Sequence, residues 1–490
     1  MKQVVLAGTV LLATAIGANA ADLPVKAFFK APPVPSWSWS GFYAGVNAGY
    51  SFGNDTFDEN FVGAAQLPGV GHVLPRGAVA GGQLGYNWQF GHVVFGVEAD
   101  GQWTGQRDTG CGGLECVLNF NGEVGAFSMR HELNWFATAR GRVGLANEGY
   151  LIYATGGAAW AGMRETAMGQ IDEARGEVAV NNVLSGWALG GGIEARLWGN
   201  WSAKVEYLHL DFNGTTTTSH IVGGPVAGVG FDVMSLAKTR VTDDIARVGL
   251  NYGFWNTPAV APAPIDPSAA AWRWTGFYLG INGGYGTGNT TFQQYNFIDP
   301  AVLPPGPGIT NNVSSFAPQK LGPRGALAGG QGGFNWQIEH VVVGVEADAQ
   351  WTRQDDVGCG QGCVSGESEA QRLNWFATAR ARLGWANDGY LLYVTGGGAW
   401  GEIEQTSTMV SSDIFTLHSK QTRSGWVGGG GIEARLVGNW TAKAEYLHID
   451  LGSTTNSLAV TDIFYNSFSV KSSFRDDIFR AGLNCKLGMN

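Results

Sequence analysis

Apolar and polar residues alternate at period two along many segments of this chain of 490 residues. In residues 340–352, Val341, Val343 and Val345 fall on one face, opposite Glu346 and Asp348. Successive side chains of a β-strand point to opposite faces, so this pattern predicts strands with two chemically different faces. Sixteen such segments begin near Gly41, Val79, His92, His131, Gly149, Leu184, Trp201 and Val241, and near Gly276, Leu327, His340, Gln371, Gly389, Arg423, Trp440 and Arg475. Most can reach the nine to eleven residues that a bilayer-spanning strand requires.

The second group of segments repeats the first. LNWFATAR occurs at 133–140 and 373–380, GGGIEARL at 190–197 and 429–436, and WSAKVEYLHLD at 201–211 is answered by WTAKAEYLHID at 440–450. A unit of more than 200 residues is a duplicated domain rather than a solenoid repeat. We therefore expect one domain over 37–256 and another over 272–490, joined by a Pro/Ala linker over 257–271 and preceded by a Pro-rich segment over 21–36.

The first twenty residues have the features of a secretory signal peptide. Lys2 precedes an apolar run from Val4 to Ile16, and Ala18-Asn19-Ala20 predicts cleavage after Ala20. Export would allow disulfides to persist. The close pairs Cys111–Cys116 and Cys359–Cys363 are interpreted as loop disulfides, which leaves Cys485 over.

Connection lengths alternate as regularly as the residues do. Short turns at Phe90-Gly91, Asn147 to Gly149 and Gly199-Asn200 are separated by long connections such as 105–130, 164–183 and 213–240. Short turns at one end and long loops at the other are typical of outer-membrane barrels. The fold class is therefore predicted as all-β, with two tandem eight-stranded antiparallel transmembrane barrels. The alternative is one fused sixteen-stranded barrel, which would hold an aqueous channel.

Alternation alone does not decide which face is inside, because a soluble barrel with its polar face in solvent also alternates. Gly, Ala and Val dominate the apolar faces, and aromatic residues lie near strand ends, which favours lipid outside and charge inside. An aromatic girdle is predicted from Trp88, Trp103, Trp135, Trp198, Trp201, Tyr207, Trp336, Trp351, Trp375, Trp440 and Tyr446. A barrel-interior charge network is predicted from Glu98, Asp100, Arg140, Arg142, Glu194, Arg196, Lys204, Glu206, Glu346, Asp348, Arg380, Arg382, Glu433, Arg435, Lys443 and Glu445.

Each copy also resembles a known family. The segments WSGFYAGVNAGYSFGN and WTGFYLGINGGYGTGN open the copies, GGIEARL and the EYLH-x-D strand follow, and DDIARVGLNYGF and DDIFRAGLN close them. These motifs resemble the small outer-membrane β-barrel proteins of alphaproteobacteria, described as porin-family, opacity-like or outer-membrane immunogenic surface proteins. The resemblance implies a Gram-negative outer-membrane location and roles in envelope integrity or surface interaction. The tandem arrangement and the non-aromatic C-terminus depart from the family's usual pattern.

Three functions follow as hypotheses. The first is a structural protein that supports the envelope and meets surface ligands of a host or the environment through its loops, with a lumen filled by paired charges. The alternatives are a general diffusion porin and a haem-binding surface protein, for which the repeated His92, His340, His209 and His448 would be the candidates. The expected partners are outer-membrane lipid and the barrel-insertion machinery. No catalytic residue, metal, cofactor or nucleic-acid partner is expected, because no nucleophile with a base and no basic run stands out.

Overall fold

The structure is a computed structural model, and it contains β-strands and short connections. It describes residues 38–254 and 272–487 except for 63–67, 111–117, 121–122, 147–148, 172–173, 227–228, 299–312, 316–318, 360–367, 387–388, 411–413, 437 and 460–464. The predicted signal peptide with Ala20, the segment 21–36 and the linker 257–271 lie outside the described residues. So do Cys111, Cys116 and Cys363 and the side chain of Cys359. Among the described residues there is no helix long and apolar enough to cross a membrane.

The first copy forms a closed antiparallel barrel. Its strands are β1 (Gly41–Val62), β2 (Pro68–Val73), β3 (Arg76–Phe90), β4 (Val93–Gly110), β5 (Leu118–Phe120), β6 (Glu123–Ala146), β7 (Tyr150–Ile171), β8 (Ala174–Arg196), β9 (Trp201–Val226) and β10 (Val229–Gly253). Eight of these follow one another around the barrel in sequence order, and β1 pairs with β10 to close it. The short β2 and β5 extend hairpins beside β1 and β6.

The second copy repeats this arrangement. Its strands are β11 (Gly276–Ile298), β12 (Val313–Ser315), β13 (Gln319–Leu321), β14 (Arg324–Ile338), β15 (Val341–Cys359), β16 (Ser368–Ala386), β17 (Tyr390–Val410), β18 (Ile414–Arg435), β19 (Trp440–Ala459) and β20 (Tyr465–Leu487). Here β11 pairs with β20 and closes the ring. Each copy closes on itself, so the fused sixteen-stranded alternative is wrong.

One end of each barrel carries the short turns and is called the turn end; the opposite end is called the loop end. Gly91, Gly199 and Gly438 adopt positive φ in these turns, with values of 62°, 54° and 58°. A left-handed backbone conformation favours glycine. Glu339 takes the position of Gly91 in the second barrel and keeps φ at 52°.

The strands continue further toward the loop end than the sequence pattern indicates. β6 begins at Glu123 rather than near His131, and β10 begins at Val229 rather than near Val241. The predicted long loops 105–130, 164–183 and 213–240 are therefore largely strand. Ladder hydrogen bonds between neighbouring strands satisfy the backbone along these extensions.

Two rings of aromatic side chains bound the outer face of each barrel. Near the turn end lie Trp88, Phe90, Phe95, Trp198, Trp201, Tyr252 and Phe254, with Trp336, Trp385 and Trp440 in the second barrel. Toward the loop end, four consecutive strands each supply one tryptophan, namely Trp103, Trp135, Trp160 and Trp187, and likewise Trp351, Trp375, Trp400 and Trp426. Exposed Val, Leu and Ile side chains fill the belt between the rings. This is the pattern of a lipid-facing barrel surface.

Nine of the residues predicted for the girdle lie in these rings. Tyr207 and Tyr446 lie instead between the two barrels, where their rings approach Phe479 at 4.8 Å and 5.2 Å between centroids. Trp160, Trp187, Trp400 and Trp426 are ring members that the sequence analysis did not single out.

Candidate functional site

The lumen of each barrel is filled by charged side chains. Of the sixteen residues predicted for the interior network, fourteen point inward and are at most 6% exposed. The two others lie at the turn end: Arg196 is exposed, and the guanidinium of Arg435 lies 4.7 Å from the ring centroid of Trp272. The inward rows arise because Glu98 and Asp100, or Arg140 and Arg142, are two residues apart on one strand.

Arg140 joins three carboxylates of the first barrel. Its Nη2 lies 2.5 Å from Glu98 and 2.8 Å from Asp100, and its Nη1 lies 3.2 Å from Glu206. Lys204 places Nζ 2.9 Å from both carboxylate oxygens of Glu98. These charge-assisted bonds replace the water that the buried charges have lost.

The second barrel has an equivalent network, formed around Arg380, Arg382 and Lys443. Arg380 lies 2.7 Å from Asp348 and 3.0 Å from Glu445, and it also bonds to Glu346. Lys443 lies 2.9 Å from Glu346.

The sequence analysis missed one cation in each network. Arg247 lies 2.5 Å from Glu206 and 3.1 Å from Asp100, and Arg480 lies 2.6 Å from Glu445 and 3.0 Å from Asp348. With these two in place of Arg196 and Arg435, each network comprises four carboxylates and four cations. Strand parity could have found them, since Arg247 lies two residues after the inward Ile245.

Tyrosine hydroxyls complete the charged layer. Tyr43 donates to Glu98 at 2.8 Å, and Tyr153 donates to Glu206 at 2.8 Å. The guanidinium of Arg142 lies 4.6 Å from the centroid of the Tyr43 ring and bonds to Glu194 at 3.1 Å. Tyr278 and Tyr393 repeat these bonds to Glu346 and Glu445.

An aromatic plug covers the turn end of each lumen. Trp39 is fully buried against inward-facing Tyr43, Val94 and Leu151, and its backbone N–H donates to Gln89 at 2.7 Å. Trp274 makes the same bond to Gln337, and it lies with Trp272 in the mouth of the second barrel. The repeated W-x-W before each first strand is the sequence signal for this plug.

Apolar side chains close the lumen on the other side of the charged layer. In the first barrel they include Phe136, Leu208, Leu210, Phe212 and Ile245, all fully buried. In the second they include Phe376, Leu447, Ile449, Phe474 and Ile478. Three successive layers, aromatic, charged and apolar, therefore occupy the lumen.

The histidines considered for haem or metal have protein partners. His209 lies 2.7 Å from Asp244 and His448 lies 2.7 Å from Asp477, while His92 and His340 each contact a backbone carbonyl at 3.2 Å. Within the described part of the chain, no group of three or more His, Cys, Asp or Glu side chains is arranged to hold a metal ion.

The two barrels contact each other through equivalent faces. Asp477 points outward from β20 yet is 1% exposed, because Arg76 of the first barrel bonds to it at 2.8 Å. Tyr446 donates to the same carboxylate at 2.7 Å. In the first barrel Tyr207 donates to Asp244 at 2.6 Å, and Arg324 of the second barrel bonds to the neighbouring Thr242.

Comparison with known proteins assigns this architecture to a family. The family model described as "Outer membrane protein beta-barrel domain" matches residues 9–254 and again residues 259–484. The chain belongs to this outer-membrane β-barrel family. It is an outer-membrane protein with two copies of the domain.

Curated relatives agree with that assignment. The 31 kDa outer-membrane immunogenic protein of Brucella melitensis is 35% identical over 237 residues, which cover 46% of this chain and 90% of the relative. The 22 kDa outer membrane protein of Rhizobium leguminosarum is 31% identical over 185 residues, covering 37% and 69%. Among solved structures, a Pseudomonas aeruginosa FadL homologue aligns over 91% of each chain at 10% identity with a TM-score of 0.28, too low to identify a shared fold.

Proposed function

We propose that this outer-membrane protein is a structural, non-conducting component of the envelope that meets its surroundings through its loop-end hairpins. The observation that carries the proposal is the layered filling of both lumens. An eight-stranded barrel has an interior just wide enough for side chains to fill, and here buried side chains fill it at three levels. A solute would have to break the four-against-four charge network to pass.

The loop-end extensions support the second part of the proposal. β9 runs from Trp201 to Val226, whereas the belt between the aromatic rings takes about ten residues of it. The loop-end extension of the second barrel contains a packed apolar cluster of Phe292, Leu321, Leu417, Phe468 and Val470. In outer-membrane barrels the long connections face outside. A packed extension can present a fixed surface there.

Planar-bilayer recordings of the purified full chain test the proposal, with liposome swelling as a second readout. We expect no stable conductance steps from the wild-type protein. Trp39→Ala removes one layer of one barrel and leaves its charged and apolar layers, so it should also fail to conduct. Large stable steps from the wild type would favour the porin alternative, and steps appearing only in Trp39→Ala would mean that the inner layers do not block the lumen.

A further inference from the structure

The face between the barrels encloses two clefts in the apolar belt. Aromatic contacts cross the interface, with Phe52 and Phe479 5.6 Å apart between ring centroids and Tyr207 and Phe479 4.8 Å apart. Nearer the turn end, Ile193 of the first barrel packs with Tyr390 and Ile432 of the second. The barrel surfaces curve away from these contacts and leave one cleft on each side.

The two clefts have partly equivalent linings. The first has a volume of about 760 Å³ and is lined by residues that include Val205, Tyr207, Ile281, Gly283, Ala444 and Leu483. The second has a volume of about 620 Å³ and is lined by residues that include Ala48, Val205, Val248, Leu392, Val394 and Tyr446.

The repeated motifs show the equivalence of the linings. Ala48 and Gly283 hold the same position in GFYAGVNAGY and GFYLGINGGY, as do Tyr207 and Tyr446 in EYLH. Each cleft thus includes a late strand of one barrel, β9 or β19, and the first strand of the other, β11 or β1, while Val205, Ala246 and Tyr446 line both clefts. Its geometry is a product of the paired faces and occurs twice.

The chemistry of the linings selects an apolar occupant. Three tyrosines, Tyr207, Tyr285 and Tyr446, bring hydroxyls to the outer-face linings, and those of Tyr207 and Tyr446 donate to Asp244 and Asp477. Buried water needs two to four polar partners, so water does not suit either cleft. Both volumes fall in the range of about 300–1,000 Å³ found for small-molecule sites.

We propose that each cleft holds an acyl chain of a phospholipid from the turn-end leaflet. The second cleft reaches Trp385, a member of the turn-end ring, and the aromatic contacts of Phe52 and Phe479 lie on its loop-end side. The turn end faces the periplasm in outer-membrane barrels. A chain in a cleft is covered by protein from two sides, whereas a lipid elsewhere on the surface touches one wall, so the cleft lipids are retained longest.

Native mass spectrometry of the full chain tests this. The protein is reconstituted in vesicles of phosphatidylethanolamine and phosphatidylglycerol, extracted in detergent and washed. We expect two retained phospholipids per chain. Ala48→Trp should remove one, Gly283→Trp the other, and the double variant both. A Cβ at Gly283 would meet no atom closer than 3.6 Å, so the backbone tolerates the side chain.

Gly101→Trp is the matched control, because Gly101 also faces outward in the belt and a Cβ there meets nothing within 4 Å. It should retain two lipids. A heat-dependent gel shift verifies that each variant is folded, and the single variants decide the matter if the double variant does not fold. The proposal is overturned if the wild type retains no phospholipid, if Gly101→Trp loses as much as the cleft variants, or if vesicles that also contain lipopolysaccharide yield that lipid instead.

Discussion

Arg247→Met is the substitution that most directly probes the charge network. Arg247 is 2% exposed, and it bonds through Nη2 to Glu206 at 2.5 Å and to Asp100 at 3.1 Å. Methionine keeps much of the volume and removes the charge, which leaves four carboxylates against three cations in the network. Removing one partner of a buried ion pair costs about 3–5 kcal/mol of stability.

The remaining contacts place the expected loss at the lower end of that range. Glu206 keeps Arg140 at 3.2 Å and the Tyr153 hydroxyl at 2.8 Å. Asp100 keeps Arg140 at 2.8 Å and the Thr138 hydroxyl at 2.7 Å. We therefore expect a decrease of about 3 kcal/mol in the free energy of unfolding.

Urea unfolding of the full chain in detergent micelles measures this loss, with the heat-dependent gel shift and proteolytic fragments assigning it to a barrel. Arg480→Met is the matched variant in the second barrel and should destabilise that barrel by a similar amount. The double variant Arg247→Met/Glu206→Gln restores charge balance at three against three, so it should be more stable than Arg247→Met. A loss below about 1 kcal/mol, as for exposed pairs, or a double variant no more stable than the single one, would refute the reasoning.

Two further predictions compare the barrels with each other. His131 lies four residues beyond the loop-end ring and 3.0 Å from Asp55. Burial opposes the charge of His131, but the hydrogen bond and the charge of Asp55 outweigh this effect and raise the pKa of His131. Burial also raises the pKa of Asp55. Because both pKa values are raised in the folded state, the stability of the first barrel should fall as the pH rises from about 4 through the folded pKa of His131. The double variant Asp55→Thr/His131→Gln installs the neutral pair that Thr290 and Gln371 form in the second barrel, so it should lose this pH dependence. A pH dependence of unfolding that the double variant leaves unchanged would contradict the prediction. Glu339→Gly should stabilise the second barrel by about 1 kcal/mol, because it removes the strain of a left-handed backbone from a non-glycine residue. Gly91→Glu should destabilise the first barrel by a similar amount. Urea midpoints of the two variants that do not move in opposite directions would contradict this prediction.

The sequence predicted the parts of this fold that depend on strand parity. Alternation identified the spanning strands, and the inward rows around Glu98 and Arg140 followed from a spacing of two residues. Arg247 was not predicted because its inward neighbours on the strand, Ile245 and Gly249, carry no charge, so that it is not part of a row such as Arg140 and Arg142. The aromatic plug was not predicted because Trp39 precedes the first strand, where strand parity does not indicate which way a side chain points.

The contact between the barrels could not be inferred from parity at all. Asp477 lies on the face that parity assigns to lipid, and its partners there include Arg76 of the other barrel as well as Tyr446 and His448. Tyr446 likewise has the spacing of a girdle residue. Long-range placement of one barrel against another leaves no periodic trace in a single sequence. Comparison of the two copies would still have shown that both carry the same outward carboxylate.

The equivalence of the two contact faces also limits how far assembly can proceed. When a face pairs with a copy of itself about a twofold axis, both copies of the face are buried in that contact. A head-to-tail contact differs, because it leaves one unpaired surface at each end of the assembly. Each barrel here presents one such face, and both are covered within the same chain. The tandem therefore has no uncovered copy of this face, and the number of barrels that it joins is two, because both belong to one chain. A third barrel would have to bind through a different surface, and growth into arrays cannot use the surface that joins these two.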